Sequence, residues 1–469
     1  MAAIDSVWRG KRVTVMGLGT RGGGTGVVRF LAERGAIVTV TDLRNAAQLS
    51  DQTAALADLP VRYVLERHEE RDFIDTDVVV RNPAVRRWNP LLAVARAAGV
   101  PIEMEMTIFL AASPAPVIGI TGTKGKTSSS VLCGEMLRAW NPETVVAGNM
   151  GVSAVAALDQ LTPQTPVVLE LSSWQLEAMD ERQIGPNIAV ITNISPDHLD
   201  TYADFAEYAA VKRSIVHHLG PDDVAVLNAD DPEVSKAAWE TTARVVTFGV
   251  HPQADGIRVF ADHVESSLPE APGSVAIPDH DAIRGLHMRM NIAAAACAAL
   301  LRGASIDHVQ TGVNAYRGIA NRMERVGTID GVIFINDTAA TAPAAAIASL
   351  EAMAGRPVHL IAGGADKHLD MKGLAQAIAR SARSVTLLDG TATALLADLI
   401  HHLAPTIDLP VTQSMPDAIE TALRHACPGD IVLLSPGCAS FGIFRDEFDR
   451  GQQFRDWVNA HNISTVTTS

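Results

Sequence analysis

Val117-Ile118-Gly119-Ile120-Thr121-Gly122-Thr123-Lys124-Gly125-Lys126-Thr127 decides the reading of this chain. Val117 to Ile120 is a short apolar run, the pattern of a strand buried on both faces. Two glycines then permit a tight turn, and a helix is expected from about Lys126. Such a loop aims backbone N–H groups at an anion, and the helix N-terminus adds partial positive charge. Lys126 suits β/γ-phosphate oxygens and Thr127 suits Mg²⁺. The usual spacing is G-x-x-x-x-G-K-[ST]; here Ile120 stands at the first glycine and the loop contracts to G-x-x-G-K-T. A lysine in an ordinary turn is the bland alternative. The strand, glycines, Lys and Thr together count against it.

Upstream lies a second glycine turn, Gly17-Leu18-Gly19-Thr20-Arg21-Gly22, between an expected strand (Arg12 to Met16) and a helix (about Gly26 to Arg34). Asp42 ends the next strand, Ile37 to Thr41, and a third is expected at Asp77 to Val80. This βαβ pattern is a dinucleotide fingerprint, but any nucleotide diphosphate suits the same geometry. Ser113-Pro114-Ala115-Pro116 reads as a linker. Downstream, apolar runs at Val167 to Leu171, Ile188 to Thr192 and Val224 to Asn228 alternate with helical patterns. Residues 251–280 read as short strands and loops, and Met290 to Arg302 as a helix. A third alternation, with strands at Val332 to Ile335, Val358 to Ala362, Val385 to Leu388 and Ile431 to Leu434, follows a boundary near Tyr316 to Gly318. Three consecutive α/β domains result: a Rossmann-like one (1–112), a central P-loop-type one (113–317) and a Rossmann-like C-terminal one (318–469).

At 469 residues and 47% hydrophobic content, each domain can bury a core. A net charge of −15 argues against a nucleic-acid partner. No apolar run is long enough to insert in a membrane, and Val13 to Met16 is too short for an export signal. Cys133, Cys297, Cys427 and Cys438 lack metal or redox spacing, so they read as reduced core thiols of a cytosolic protein. His217-His218 and His401-His402 are expected on exposed helices with no third ligand. Met104, Met106 and Ile292 to Ala299 read as core.

The contracted loop resembles that of Mur ligases and folylpolyglutamate synthases, and matches to Mur ligases continue in order along the whole chain. Gly148-Asn149-Met150-Gly151 resembles G-N-x-G. Glu170-Leu171-Ser172-Ser173-Trp174-Gln175-Leu176 resembles E-L-S-S-F-Q-L, the form of the glutamate-adding branch. Asn193-Ile194-Ser195-Pro196-Asp197-His198-Leu199-Asp200 resembles N-x-x-x-D-H-x-D. Tyr208 to Lys212 resembles the Y-x-x-x-K that carries a carbamylated lysine. Asn291, Arg322 with Glu324, Asn336-Asp337, and Leu434 to Ser440 with Phe448 and Arg450-Gly451 also fall at family positions. Each match alone is weak; their shared order is specific.

The resemblance implies an ATP-dependent ligase of cytoplasmic peptidoglycan precursor synthesis, acting as a monomer on UDP-N-acetylmuramoyl-L-alanine and D-glutamate. The substrate carboxylate would attack the γ-phosphorus of ATP, and the amino-acid amine would displace phosphate from the acyl phosphate. Lys126, Glu170, His198 and Lys212 would form the catalytic set. Gly122, Thr123, Lys124, Gly125, Lys126 and Thr127 would hold the phosphates; Asn291, Arg322 and Asp337 would contact adenine, phosphate and ribose. Two Mg²⁺ ions are implied, one on Thr127 and Glu170, the other on His198 and a carbamate on Lys212. Asp197 and Asp200 flank that second position. Gly17, Leu18, Gly19, Thr20, Asp42 and Asn149 would bind the UDP substrate, and Thr341, Lys367, Ser440 and Phe448 the amino acid.

Departures from the family pattern mark where specificity stays open. Ala339 replaces a lysine near the amino-acid carboxylate, so L-glutamate stands beside D-glutamate as acceptor. Met288 replaces an asparagine near Asn291. Arg81-Asn82-Pro83-Ala84 replaces S-P-G, with Arg81 either a cation near the diphosphate or a solvated loop residue. Rival readings are a Mur ligase with another acceptor, a folylpolyglutamate synthase-like ligase, a dehydrogenase using the first glycine turn, and a nucleotide-binding module without catalysis.

Overall fold

The computed structural model describes residues 6–19, 22–150, 153–197, 201–253, 255–279, 283–367 and 369–462. Three sheets run along the chain, of five, nine and six strands. The first contains β1 (Arg12–Met16), β2 (Ile37–Asp42), β3 (Arg62–Leu65), β4 (Val78–Arg81) and β5 (Ile102–Glu103), ordered β3-β2-β1-β4-β5 and parallel throughout. Its order reverses beside β1, which opens a crevice at the carboxyl ends of β1 and β4.

The second sheet contains β6 (Val117–Thr121), β7 (Val145–Gly148), β8 (Val167–Glu170), β9 (Ile188–Ile191), β10 (Val224–Asn228), β11 (Arg244–Gly249), β12 (Gly256–Val259), β13 (His263–Ser266) and β14 (Gly273–Ala276). Its order is β14-β13-β12-β11-β10-β9-β6-β8-β7, with antiparallel pairing only at the β12-β13-β14 end. β6 is central, so the phosphate loop leaves the sheet between the ends of β8 and β9. The third sheet contains β15 (Glu324–Ile329), β16 (Val332–Asn336), β17 (Val358–Gly363), β18 (Ala382–Leu388), β19 (Val411–Thr412) and β20 (Ile431–Leu434), ordered β15-β16-β20-β17-β18-β19.

The expected three α/β sheets are therefore present. Several elements were not expected. In sequence β3 falls between β2 and the strand read as third, and in the sheet it is the edge strand; its Arg-Tyr-Val-Leu buries only Val64 fully, so it gives no apolar run. β5, β7, β11, β15 and β19 also went unread, and a helix at Ile306–Ala315 follows the long helix Leu286–Arg302. Cys427 is exposed, unlike the other three thiols, which corrects the core assignment. It follows the helix Met415–Leu423 in a turn, where Asp430 accepts its N–H at 3.0 Å.

Two compact units result: Met1–Pro278 with Leu286–Tyr316, and Asp279–Gly285 with Arg317–Ser469. Within the first unit the first two sheets share one core. Val13, Val15, Val28 and Leu31 belong to the same buried cluster as Val117, Val167 and Ile191. Each such side chain contributes roughly 1.5–3 kcal/mol on burial. Arg81 ends β4, is 1% exposed, lies 3.8 Å from Glu177, and donates to Val85 O at 2.8 Å. It is not a solvated loop residue. It joins the first sheet to the helix Ser173–Glu181 beside the second. Arg87 and Glu207 add a second link at 2.6 Å. No helix among the described residues is long and apolar enough to cross a membrane.

Candidate active site

The phosphate loop is held open by its neighbours rather than by itself. Gly122 has φ 147° and Gly125 φ 82°, conformations that other residues rarely adopt. A Cβ on Gly122 would lie 2.0 Å from Thr192 Oγ1, and one on Gly125 2.3 Å from Asn291 Oδ1. Thr123 N donates to Asn193 O at 2.8 Å, and Lys124 N to Asn193 Oδ1 at 2.9 Å. Lys126 begins the helix Lys126–Trp140 and turns its ammonium back to Gly122 O and Thr123 O, at 2.9 and 3.0 Å. An ammonium parked on loop carbonyls can be redirected to phosphate oxygens at little cost. Thr127, on the same first turn, is half-buried.

Glu170 ends β8 beside the loop. It is 3% exposed; Oε1 accepts from Asn149 Nδ2 at 3.1 Å, while Oε2 is buried with no hydrogen-bond partner. A buried carboxylate oxygen left unmatched is costly unless a cation completes it. With the Thr127 hydroxyl this donor set is all hard oxygen, which fits Mg²⁺. The rest of the Glu170 motif serves the fold. Ser172 and Gln175 form a reciprocal cap on the helix Ser173–Glu181, with Ser172 N donating to Gln175 Oε1 at 2.8 Å. Such a cap contributes about 1 kcal/mol.

Lys212 is 2% exposed in the helix Phe205–Arg213, and its Nζ lies 3.2 Å from Thr121 Oγ1. Burial, reinforced by the charge of Lys126, drives its pKa well below the usual lysine value, against the opposing pull of Glu170 and Asp197. An uncharged amine is the form that adds CO₂. Tyr208, one turn earlier, meets Thr123 Oγ1 at 3.2 Å, so the helix is stitched to the loop. The segment that leads to His198 is stitched there too. Ser195 N donates to Thr123 Oγ1 at 3.0 Å, and Lys124 Nζ meets Asp197 Oδ2 at 3.2 Å. His198, Asp200 and Thr20 lie outside the described residues.

Beside the loop is a cavity of about 320 Å³ lined by Phe248, Met290, His287, Asn228 and Asn291, among others. Its apolar wall and few amides suit a purine base. Asn291 is buried, and its Nδ2 faces the Met288 sulfur at 3.5 Å. Methionine thus occupies the asparagine's place as a weak acceptor. Asn228 and Phe248 were not read from sequence; Asn228 ends β10, a parallel strand two places from β6, and a polar residue at that carboxyl end is the signal that would have flagged it. A second cavity, of about 360 Å³ at Trp140, Gln164 and Arg302, includes no phosphate-loop residue. The 15-residue helix Lys126–Trp140 separates the two by about 22 Å.

At the first glycine turn, Gly17 and Gly19 have φ 87° and 68°. Asp42 Oδ2 accepts from Leu18 N at 2.9 Å and Gly19 N at 3.3 Å, and Oδ1 accepts from Arg44 N at 2.9 Å. The acid shapes the turn and spends its acceptors inside the protein. Asn149 N donates to Glu170 O at 2.9 Å, which fixes it at the end of β8.

The second unit gathers the remaining predicted residues. Arg322 sits between Asn321 and Met323, both at positive φ (68° and 46°). Asp337 is buried; Ser349 Oγ and Ser435 Oγ donate to Oδ2 at 2.5 and 2.7 Å, and Met323 N to Oδ1 at 3.2 Å. Desolvation raises its pKa to about 6. Lys367 Nζ donates to Thr341 Oγ1 at 2.9 Å. Ser440 is 3% exposed with a buried unpartnered hydroxyl, and the backbone pairing of Ala365 with Ala439 sets its loop beside that of Lys367. Phe448 is exposed.

Family models match the chain over three stretches: Mur ligase MurD-like N-terminal domain at 11–103, Mur ligase middle domain at 120–299, and Mur ligase glutamate ligase domain at 321–438. The chain is 47% identical to the UDP-N-acetylmuramoylalanine–D-glutamate ligase of Roseiflexus sp. (strain RS-1), over 96% of this chain and 99% of that one. It is 35% identical to the protein of that name from Symbiobacterium thermophilum, over 96% and 98%. Among solved structures it resembles the UDP-N-acetylmuramate-alanine ligase of Thermotoga maritima, with a TM-score of 0.60 at 19% identity over 96% and 99%, a likeness of fold. The loop, its neighbours and the full-length matches agree, and the chain belongs to the Mur ligase family.

Proposed function

We propose that this protein joins D-glutamate to UDP-N-acetylmuramoyl-L-alanine, hydrolysing ATP to ADP and phosphate. The observation that carries the acceptor is the near-full-length identity to a ligase of that name. The site geometry supplies the chemistry. A carboxylate does not acylate an amine at neutral pH without activation. Attack of the substrate carboxylate on the γ-phosphorus of ATP forms the acyl phosphate and releases ADP. The amine then adds to the acyl carbon, loses its proton, and the tetrahedral adduct expels phosphate. The protein's task is to hold two anions in contact and offset their repulsion.

Lys126 and the loop amides hold the β/γ-phosphates. Thr127 and Glu170 would hold one Mg²⁺, and His198 with carbamylated Lys212 a second; bound there, the ions would supply charge neutralisation for the transferring phosphoryl group. Asn291 and the Phe248–Met290 cavity take adenine, with Arg322 on phosphate and Asp337 near ribose. Gly17, Leu18, Gly19, Thr20 and Asn149 form the UDP-substrate side, with Asp42 as the turn's brace. Thr341, Lys367, Ser440 and Phe448 form the amino-acid side, where Lys367 supplies the cation that Ala339 lacks. The enzyme acts in the cytoplasm, as a monomer, on cell-wall precursors that growth and division require.

The test is the product made from UDP-N-acetylmuramoyl-L-alanine with D- or L-glutamate, read by mass spectrometry after chiral separation. Product with D-glutamate alone is expected. Product with L-glutamate alone would move the assignment to the L acceptor, and none with either would remove it.

A further inference from the structure

We propose that Asp180, His217 and His218 form a binding site for a zinc-class dication on the first unit, separate from the magnesium positions. The two histidines were expected to lack a third ligand. The fold supplies it from the last turn of the helix Ser173–Glu181. One ligand atom from each residue lies within 4.8 Å of the others. Asp180 Oδ1 is 2.9 Å from His218 Nε2 and 3.1 Å from His217 Nδ1. Two imidazole nitrogens and one carboxylate oxygen suit Zn²⁺, whereas Mg²⁺ prefers oxygen alone.

A second observation lies behind the first. His217 Nε2 is 3.3 Å from Glu240 Oε2, and Arg213 Nε fixes that carboxylate at 2.8 Å. A carboxylate on the far nitrogen of a ligating histidine sets its ring orientation and tautomer, the usual support of a zinc site. With Nε2–H on Glu240, the His217 lone pair at Nδ1 faces Asp180. Side-chain exposures of 34% for His217, 23% for His218 and 44% for Asp180 leave the fourth position to water. The rival arrangement is a plain hydrogen-bonded cluster with no ion.

The position gives such an ion leverage. Asp180 lies in the last turn of the helix whose cap follows Glu170, and His217 follows a short turn, Ser214–Val216, that extends the Lys212 helix. A shared ion would therefore fasten the far ends of two helices whose other parts flank the phosphate loop. It would stabilise the folded chain by mass action.

Full-length protein, stripped with chelator and kept in excess Mg²⁺, is titrated with Zn²⁺ by calorimetry. Co²⁺ absorption reports the coordination. One saturable Zn²⁺ site per chain is expected, with a zinc-dependent rise in Tm and a visible Co²⁺ band. The double variant His217→Gln/His218→Gln should lose the site, and Glu240→Gln should weaken it by about tenfold. Ligase turnover in Mg²⁺ alone should stay at wild-type level in these variants, which certifies their fold. Absence of saturable Zn²⁺ binding in the wild type, or equal binding and an equal Co²⁺ band in the double variant, would overturn the proposal.

Discussion

Lys212 Nζ lies 3.2 Å from Thr121 Oγ1, the last residue of β6 before the phosphate loop. A buried lysine there is useful only if it is not an ammonium, and burial together with Lys126 keeps its pKa low. Carbamylation turns the amine into an anionic oxygen donor at the same place. Lys212→Ala should lower kcat by at least ~100-fold, the scale for removing a preorganised electrostatic group. Formate or acetate should restore part of the loss by filling the vacated space with a carboxylate. Full activity of the alanine variant, or no response to any short acid, would remove the carbamate from the scheme.

The same burial predicts a trade of stability against activity. A lysine whose folded pKa is depressed takes up a proton on unfolding, so its burial costs most at low pH. Stability rises with pH across the window from the lowered folded value towards the ordinary lysine value. Lys212→Met removes the charge and retains the volume. In CO₂-stripped buffer at pH 7 the inactive variant should melt a few degrees above wild type. A lower Tm would show that Lys212 is well solvated or well paired in the folded state.

The parts legible in sequence were those that the core writes as apolar runs. β1, β2, β6, β8, β10 and β20 are buried along most or all of their length and read with nearly correct bounds. β3 and β5 are short and half-exposed, so their sequences carry no such run. The site residues split in the same way. Lys126, Glu170 and Lys212 stand in motifs contiguous in sequence, whereas the cluster of Asp180 with His217 spans 37 residues and appears only when two helices meet. Ser172 and Gln175 were visible as a motif, but their capping role required the helix start.

Asp42 braces the first glycine turn through the amides of Leu18 and Gly19, and Leu18 is buried. Asp42→Ala would strand those donors, at a cost of about 1–3 kcal/mol. Chemical denaturation should show that loss, and the KM for the UDP substrate should rise more than kcat falls. Asp42→Asn, which keeps one acceptor oxygen, should lie between. Unchanged stability in the alanine variant would mean that the turn holds itself and that the acid serves the ligand alone.

Asp337 predicts a pH dependence with a definite sign. Its folded pKa of about 6 lies above the ordinary aspartate value because burial outweighs the two serine donors. A carboxyl with a raised folded pKa contributes stability that is complete below the unfolded pKa and is lost as pH rises through the folded one. Wild-type stability should therefore carry a falling component between about pH 4 and 6. Asp337→Asn should flatten that component in pH-resolved denaturation. An identical pH profile in the variant would assign the titration elsewhere.

Arg455 braces the turn that carries Arg322, the residue proposed above for a nucleotide phosphate. Its Nη1 donates to Glu324 Oε2 at 2.8 Å and to Asn321 Oδ1 at 2.9 Å. Glu324 Oε2 in turn accepts from Asn321 N at 2.7 Å, and Gly451 leaves the space that Asn321 fills, since a Cβ there would meet Asn321 Oδ1 at 2.2 Å. These contacts hold Asn321, one of the two left-handed residues that flank Arg322, in a conformation that costs of order 1–3 kcal/mol. Without Arg455 the turn can relax and Arg322 is no longer aimed. Arg455→Ala should raise the KM for ATP by about tenfold, or ~1.4 kcal/mol of lost binding, with a smaller change in kcat. Arg455→Lys retains a cation but not the forked geometry, and should recover only part of the affinity. A fall in Tm with an unchanged KM for ATP in the alanine variant would reduce Arg455 to a structural contact and leave the aim of Arg322 to the backbone alone.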